Sequence, residues 1–306
     1  MPIANSREYA LLGKAEATPD VDAAPTPALN AIRLATRPSF TPDFGENEDK
    51  SIAQAFGDGK SMLYGKGLKL DVEFYMRSGG GLGVVPDWAA IIECAGHNVV
   101  PTANAKVTID PVTATGTSRK TSTFYYYEDG LLWKFVGAMA TFTFDAPIDG
   151  EVRGKASITA PYAAPVETAL PAGLAYQTSD FIKVAPTDVV TDSGTVSVGS
   201  YAFESSASIV QRRLIGADQV HMEDRPKPMV TLSKASLGTV ADFNRLVNST
   251  TAALHSVFGS AGNRITFDAP QGQYVSIKPT ADGIHMNREV GIALRGRDAA
   301  YQIVID

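Results

Sequence analysis

Leu68-Lys-Leu-Asp-Val-Glu-Phe-Tyr-Met-Arg77 alternates between apolar Leu68, Leu70, Val72, Phe74, Met76 and the polar or amphipathic Lys69, Asp71, Glu73, Tyr75, Arg77. Successive side chains of a strand point to opposite faces, so a period of two predicts a strand with one face buried and the other in water. Downstream, Thr121-Ser-Thr-Phe-Tyr-Tyr-Tyr127 has the aromatic and hydroxyl-rich composition that suits a pleated surface. Glu128-Asp-Gly130 then signals a hairpin, because Asp-Gly tolerates the positive φ that a tight turn needs. Leu131 to Phe144 runs back, Asp149-Gly150 turns again, and Glu151 to Thr159 adds another strand. The same reading predicts strands at 106–110, 181–184, 194–208, 227–234, 264–267, 274–278, 290–295 and 301–305, with Asp282-Gly283 as a turn.

Two helices interrupt this pattern. Pro86 opens and Gly96 closes Asp87 to Ala95, which sets Trp88, Ile91, Ile92 and Ala95 on one face. Thr239 to Phe258 reads as the longest helix. Val240, Phe243, Leu246, Val247, Leu254, Val257 and Phe258 recur at spacings of three and four, and Gly259 ends it.

Residues 1–50 read differently, as an extended N-terminal arm. Prolines at 2, 19, 25, 27, 38 and 42 remove backbone donors and fix φ, which disfavours sheet interior. Loss of residues 1–40 is therefore expected to leave a folded protein. The order of elements suggests a duplicated strand–helix–sheet unit. The first unit spans 51–160, residues 161–195 form a proline-rich linker and edge segment, and the second unit spans 196–306. The fold class expected is mainly β (α+β), with a helix flanking each unit. Thr-Phe-Asp-Ala-Pro occurs at 143–147 and 266–270, at different places in the plan, and is read as coincidence.

Of 306 residues, 44% are hydrophobic and 20% charged, an ordinary balance for a globular chain. The net charge of -6 argues against a surface that grips nucleic acid through its phosphates, since that needs a basic excess. It does not oppose a wall past which nucleic acid slides. No apolar run is long enough for a membrane helix, and residues 1–27 do not read as a signal peptide. The single cysteine, Cys94, lies in an apolar stretch and reads as buried packing in a protein made in a reducing cytoplasm.

Catalytic signals are missing. His97, His221, His255 and His285 are scattered without ligand spacing, and His255 reads as packing or surface on the long helix. Gly57-Asp-Gly-Lys-Ser61 resembles a phosphate loop, but Gln54 stands where the leading glycine is needed. Ser78 to Gly83 reads as a turn, and Asn248-Ser-Thr250 as a chance glycosylation match. No catalytic, cofactor-binding or metal-binding residue is assigned, no cofactor is expected, and the chain is read as not an enzyme.

Taken in order, Lys120-Thr-Ser-Thr-Phe-Tyr-Tyr-Tyr-Glu-Asp-Gly130, Leu132-Trp-Lys-Phe-Val-Gly-Ala138, Thr141-Phe-Thr-Phe144 and Gly150-Glu-Val-Arg-Gly-Lys-Ala-Ser-Ile158 resemble the major tail (tail-tube) proteins of long, non-contractile-tailed bacteriophages. The likeness is densest over roughly 65–160. Over 200–306, Arg225-Pro-Lys-Pro-Met-Val-Thr-Leu232 and the helix after it look like a second copy. The resemblance implies tandem β-sandwich units that contribute strands to a ring-shaped β-barrel. The rings stack into a tube that conducts DNA into the host. It implies that the chain's first partner is itself, as a three-chain pseudo-hexameric ring. Tape-measure, tail-tip and tail-terminator proteins are the further partners. DNA would pass without tight binding, and the place would be the virion tail after synthesis in the host cytoplasm. A surface or secreted β-sandwich binding module, adhesin-like, is the alternative.

Overall fold

The computed structural model describes residues 9–48, 61–112, 120–184, 189–191, 194–214, 217–222, 227–236, 239–282, 285–296 and 299–306. The first half contains β1 (Tyr9–Ala15), α1 (Pro27–Asn30), β2 (Ser39–Glu48), β3 (Ser61–Tyr75), α2 (Ala89–Cys94), β4 (His97–Thr102), β5 (Lys106–Pro111), β6 (Ser122–Glu128), β7 (Leu131–Pro147), β8 (Arg153–Pro161) and β9 (Val166–Glu167). The second contains β10 (Val189–Thr191), β11 (Gly194–Thr195), β12 (Ser200–Glu204), β13 (Ile209–Leu214), β14 (Ala217–Met222), β15 (Met229–Ala235), α3 (Val240–Val247), β16 (Thr251–Ser260), β17 (Asn263–Asp282), β18 (His285–Leu294) and β19 (Gln302–Ile305). The protein is mainly β, and its pairing is antiparallel throughout a large sheet that does not close into a barrel among the described residues.

Hydrogen-bonded neighbours in this sheet run β2-β3-β8-β7-β12-β15-β18-β17. Two long strands tie this run to the rest. The Leu131–Ala138 portion of β7 pairs with β6, and β6 with β1; the Met139–Asp145 portion pairs with β8. Likewise the first portion of β17 pairs with β16, and β16 with β10, while the later portion pairs with β18. The two halves thus share one pairing order: β1-β6-β7-β8-β3-β2 and β10-β16-β17-β18-β15-β12. Each has its helix between the third strand in chain order and the meander that follows. β4, β5 and β9 are extra to the first half, and β11, β13, β14 and β19 to the second.

The alternation at 68–76 is realised: Leu68, Leu70, Val72, Phe74 and Met76 are all buried. Asp129 and Gly130 take φ of 52° and 75°, the positive values that let β6 turn tightly into β7. On β8, Gly154 is required by close approach, because a Cβ there would lie 2.5 Å from the Phe74 ring. Behind the sheet, Phe74 stacks on Trp88 of the turn leading into α2, with ring centroids 6.0 Å apart, and the Trp88 indole donates to the Arg77 carbonyl at 3.0 Å. Phe144, Phe203, Phe267 and Tyr301 carry the same core from one half into the other.

Several expectations are corrected. Within the expected arm at 1–50, residues 9–48 are part of the fold: β1 pairs with β6 along its full length, and Ala10, Leu11 and Leu12 are buried. The prolines fall outside β1, and Pro42 lies on β2, an edge strand, where a missing donor is tolerated. Residues 1–8 lie outside the described part. The long helix expected over 239–258 stops at Val247. Thr239 caps it, its side chain accepting from the Asp242 N–H at 3.3 Å while the Asp242 carboxylate accepts from the Thr239 N–H at 2.9 Å. From Thr251 the chain is β16, with Ala252, Leu254, Ser256 and Phe258 buried in a period of two that the three- and four-residue spacings disguised. The strands expected at 264–267 and 274–278 are one strand, β17, and 181–184 forms only a bridge between Glu151 and Lys183. Of the Asp282-Gly283 turn, residues 283–284 lie outside the described part, although Asp282 and His285 pair on either side of it.

Candidate functional site

The chemistry-bearing residues singled out from the sequence do not converge. Cys94 is a buried free thiol, pushed above its ordinary pKa by burial. His97 is buried under α2, with Nδ1 3.1 Å from the Ile92 carbonyl and Nε2 against the Tyr301 hydroxyl; burial lowers its pKa to about 4. His221 on β14 sits 3.2 Å from the Gln219 side chain. His255 is on a strand rather than a helix, exposed and paired with Asp268. His285 begins β18. Of the phosphate-loop look-alike only Ser61 falls within the described residues. Among those residues no group of three or more His, Cys, Asp or Glu side chains could hold a metal.

What the fold does assemble is a surface. Strand registry puts one set of side chains on the water-facing side of the eight-strand run. From β2 come Ser39, Thr41 and Asp43; from β3, Lys69, Asp71 and Glu73. Across β8 they meet Arg153, Lys155, Ser157 and Thr159, and then Thr141, Thr143 and Asp145 of β7. The series continues through Ser200, Ala202 and Glu204 of β12, then Thr231 and Ser233 of β15. It ends on Glu289, Gly291 and Ala293 of β18 and Ser276, Lys278 and Thr280 of β17. Hydroxyls, short side chains and charges make up most of this face; half-buried Met229 of β15 and buried Met139 of β7, opposite Thr159 of β8, also belong to it. The opposite positions, among them Leu70, Phe74, Ile158, Phe142, Phe203, Leu232 and Ile292, are core.

The charges on this face are arranged in pairs. Lys155 reaches Asp145 at 2.8 Å, and that hydrogen bond raises the lysine's pKa. Arg153 lies 3.7 Å from Glu73, Lys69 3.8 Å from Asp71, and Lys278 3.9 Å from Glu289. Exposed pairs of this kind each contribute about 0–1 kcal/mol to stability. Their larger consequence is electrostatic: every cation named on the face has a carboxylate beside it. Asp43 and Glu204 leave the face slightly negative.

No family model matches this chain, and no curated protein matches it in sequence.

Sequence alternation displayed both faces of β3 and β8. It did not join them to the second half, because the β7–β12 pairing that does so links residues 143–147 with 200–204, far apart in the chain. Two further surfaces were also missed. The outer edge of β2 and the Ser276–Asp282 portion of β17 pair with no other described strand. And α3 presents Val240, Phe243 and Val247 to solvent, exposed by 78%, 38% and 79%. The helical spacing of these three was legible; that the other described residues leave them exposed was not. Among the described residues no helix is long and apolar enough to cross a membrane.

Proposed function

We propose that this chain is a structural subunit of a phage tail tube: copies assemble into rings, rings stack, and the water-facing side of the eight-strand run lines the conduit for DNA. The observation that carries this reading is that face. It carries hydroxyls or charges on all eight strands, the cations named on it are matched in place by carboxylates, and both ends of the run are strand edges with no partner strand among the described residues. A surface built to hold DNA places unmatched Lys and Arg against phosphates. Here phosphates would meet neutralised pairs and hydroxyls, which suits passage without grip. Exposed edges invite pairing with another chain, and ring closure removes them. The shared pairing order of the two halves supports tandem units derived from one duplicated ancestor, so three chains would supply six units to a ring. Negative-stain microscopy of concentrated protein tests the reading and should show rings or tubes. A monodisperse monomer at every concentration, by light scattering, overturns it.

A further inference from the structure

We propose that the contact between successive copies in the ring is a strand pair: the free edge of β2 on one copy joins the Ser276–Asp282 portion of β17 on the next. This rests on the ring reading above and names the interface within it. The template lies inside the chain. By pairing order, β12 occupies in the second half the place that β2 occupies in the first, and β17 corresponds to β7. The halves are joined by β12 running antiparallel to the end of β7, Ser200 opposite Pro147 and Glu204 opposite Thr143. The equivalent join one step further would set β2 against the end of β17. Those are the two outer edges of the eight-strand run, and among the described residues no strand pairs with either and no closed barrel forms, which leaves them open to a second copy. Such a contact is head-to-tail, the class that generates closed rings when its rotation closes.

Side-chain chemistry agrees. Ser39, Thr41 and Asp43 would continue the polar face into Thr280, Lys278 and Ser276. The register with Thr41 opposite Thr280 sets Asp43 against Lys278, an opposite-charge cross-strand pair. It also brings Pro42 opposite Pro279, so neither offers a donor there and the ladder depends on the flanking residues. Isolated, the same prolines protect both edges from indiscriminate pairing. The apolar stripe of α3 lies on a helix packed against β17, the strand that the next copy would join.

The test uses Thr41→Cys with Thr280→Cys in one chain, treated with a short bismaleimide; the native Cys94 is buried and serves as internal control. The double variant is expected to give a ladder of covalently joined chains that stops at the ring number, three for a two-unit subunit. Each single variant should give none. Rings in the microscope without a ladder, or equal joining in the single variants, overturns the β2–β17 contact and leaves the ring reading standing. An absence of rings in the parent protein overturns both. A charge swap gives an independent measure. Asp43→Lys and Lys278→Asp should each raise the assembly concentration about tenfold, the equivalent of ~1.4 kcal/mol, and the two together should restore it. Failure of the swap to restore assembly overturns the register.

Discussion

The two main helices, α2 and α3, occupy corresponding places in the two halves and have opposite surroundings. α2 and the turn before it bury Trp88, Ile91, Ile92 and Cys94. α3 buries Asp242 and leaves Val240 and Val247 in water. Intrinsic helix strength does not explain this, since α3 has the capping box and α2 has no side-chain cap. The covering elements do. α2 is overlaid by β1 and β4, whereas α3 contacts β17. The chain connects β1 to β2 through residues 16–38, and in the corresponding place it connects β10 to β12 through only 192–199. The first half completes its own packing. The second has an apolar helix face that the other described residues leave exposed.

Deleting residues 1–40 is the strongest way to break this contrast. It removes β1, uncovers Phe124 and Tyr126 of β6, and strips the cover from α2. The expected result is loss of the cooperative thermal transition by circular dichroism. A truncated chain that still melts cooperatively would mean that β1 is dispensable and that the first half is no more complete than the second.

A finer comparison substitutes one residue in each helix region. Trp88→Ala should cost about 3–5 kcal/mol in urea unfolding, because it empties a fully buried site against Phe74. Val247→Ala should stay within about 0.5 kcal/mol in the monomer. Assembly should reverse the ranking for α3: the same Val247→Ala should weaken ring formation while leaving monomer stability unchanged. Equal losses at both positions in the monomer would remove the distinction between a covered and an uncovered helix.

Much of the first half was legible in the sequence because its signals are local. The alternation of 68–76, the Asp129-Gly130 turn and the Pro86–Gly96 helix each depend on neighbours a few residues away. The misreadings have a common cause. Tyr9 to Ala15 is a strand because β6 accepts it in antiparallel register, from Tyr9 opposite Glu128 to Ala15 opposite Ser122, more than 100 positions later, and no local pattern marks that. Thr251 to Phe258 carries apolar residues whose spacing fits either period, and the long-range pairing with β10 and β17 decides for strand. The polar face was half legible for the same reason: parity within a strand is local, and which strands lie side by side is not.

Two titrating groups sharpen the picture of the first half, with opposite signs. His97 is buried with its pKa lowered to about 4, so its contribution is present above pH 6.5 and is lost as pH falls through 4; protonation can cost about 3 kcal/mol. Asp87 at the start of the α2 turn accepts from the Arg33 N–H at 3.1 Å, and burial pushes its pKa up to about 6. Its contribution is present below the ordinary carboxylate value and is lost as pH rises through 6. Between pH 4 and 6 the two slopes oppose each other. Asp87→Asn should therefore expose a rise of stability with pH across that window, read from urea midpoints, and His97→Gln a fall. Parallel slopes in the two variants would show that these groups do not set the pH response.

The smallest effect on stability is expected on the polar face, where three of the four charge pairs belong to the first half and Lys278–Glu289 to the second. Glu73→Gln with Asp145→Asn removes the partners of Arg153 and Lys155. Both pairs are exposed, so the cost should stay below about 1 kcal/mol per pair. The electrostatic change is larger than the energetic one, since two matched cations become available to phosphate. Tubes assembled from this variant should retain short duplex DNA in co-sedimentation, in a manner that falls as salt rises. The parental tubes should not. Retention by neither would mean that this face does not meet DNA, even if rings form. Retention by both would mean that the pairs do not neutralise the wall. The experiment separates a surface whose charges cancel for stability, which the magnitudes make unrewarding, from one whose charges cancel so that a polyanion can move past it.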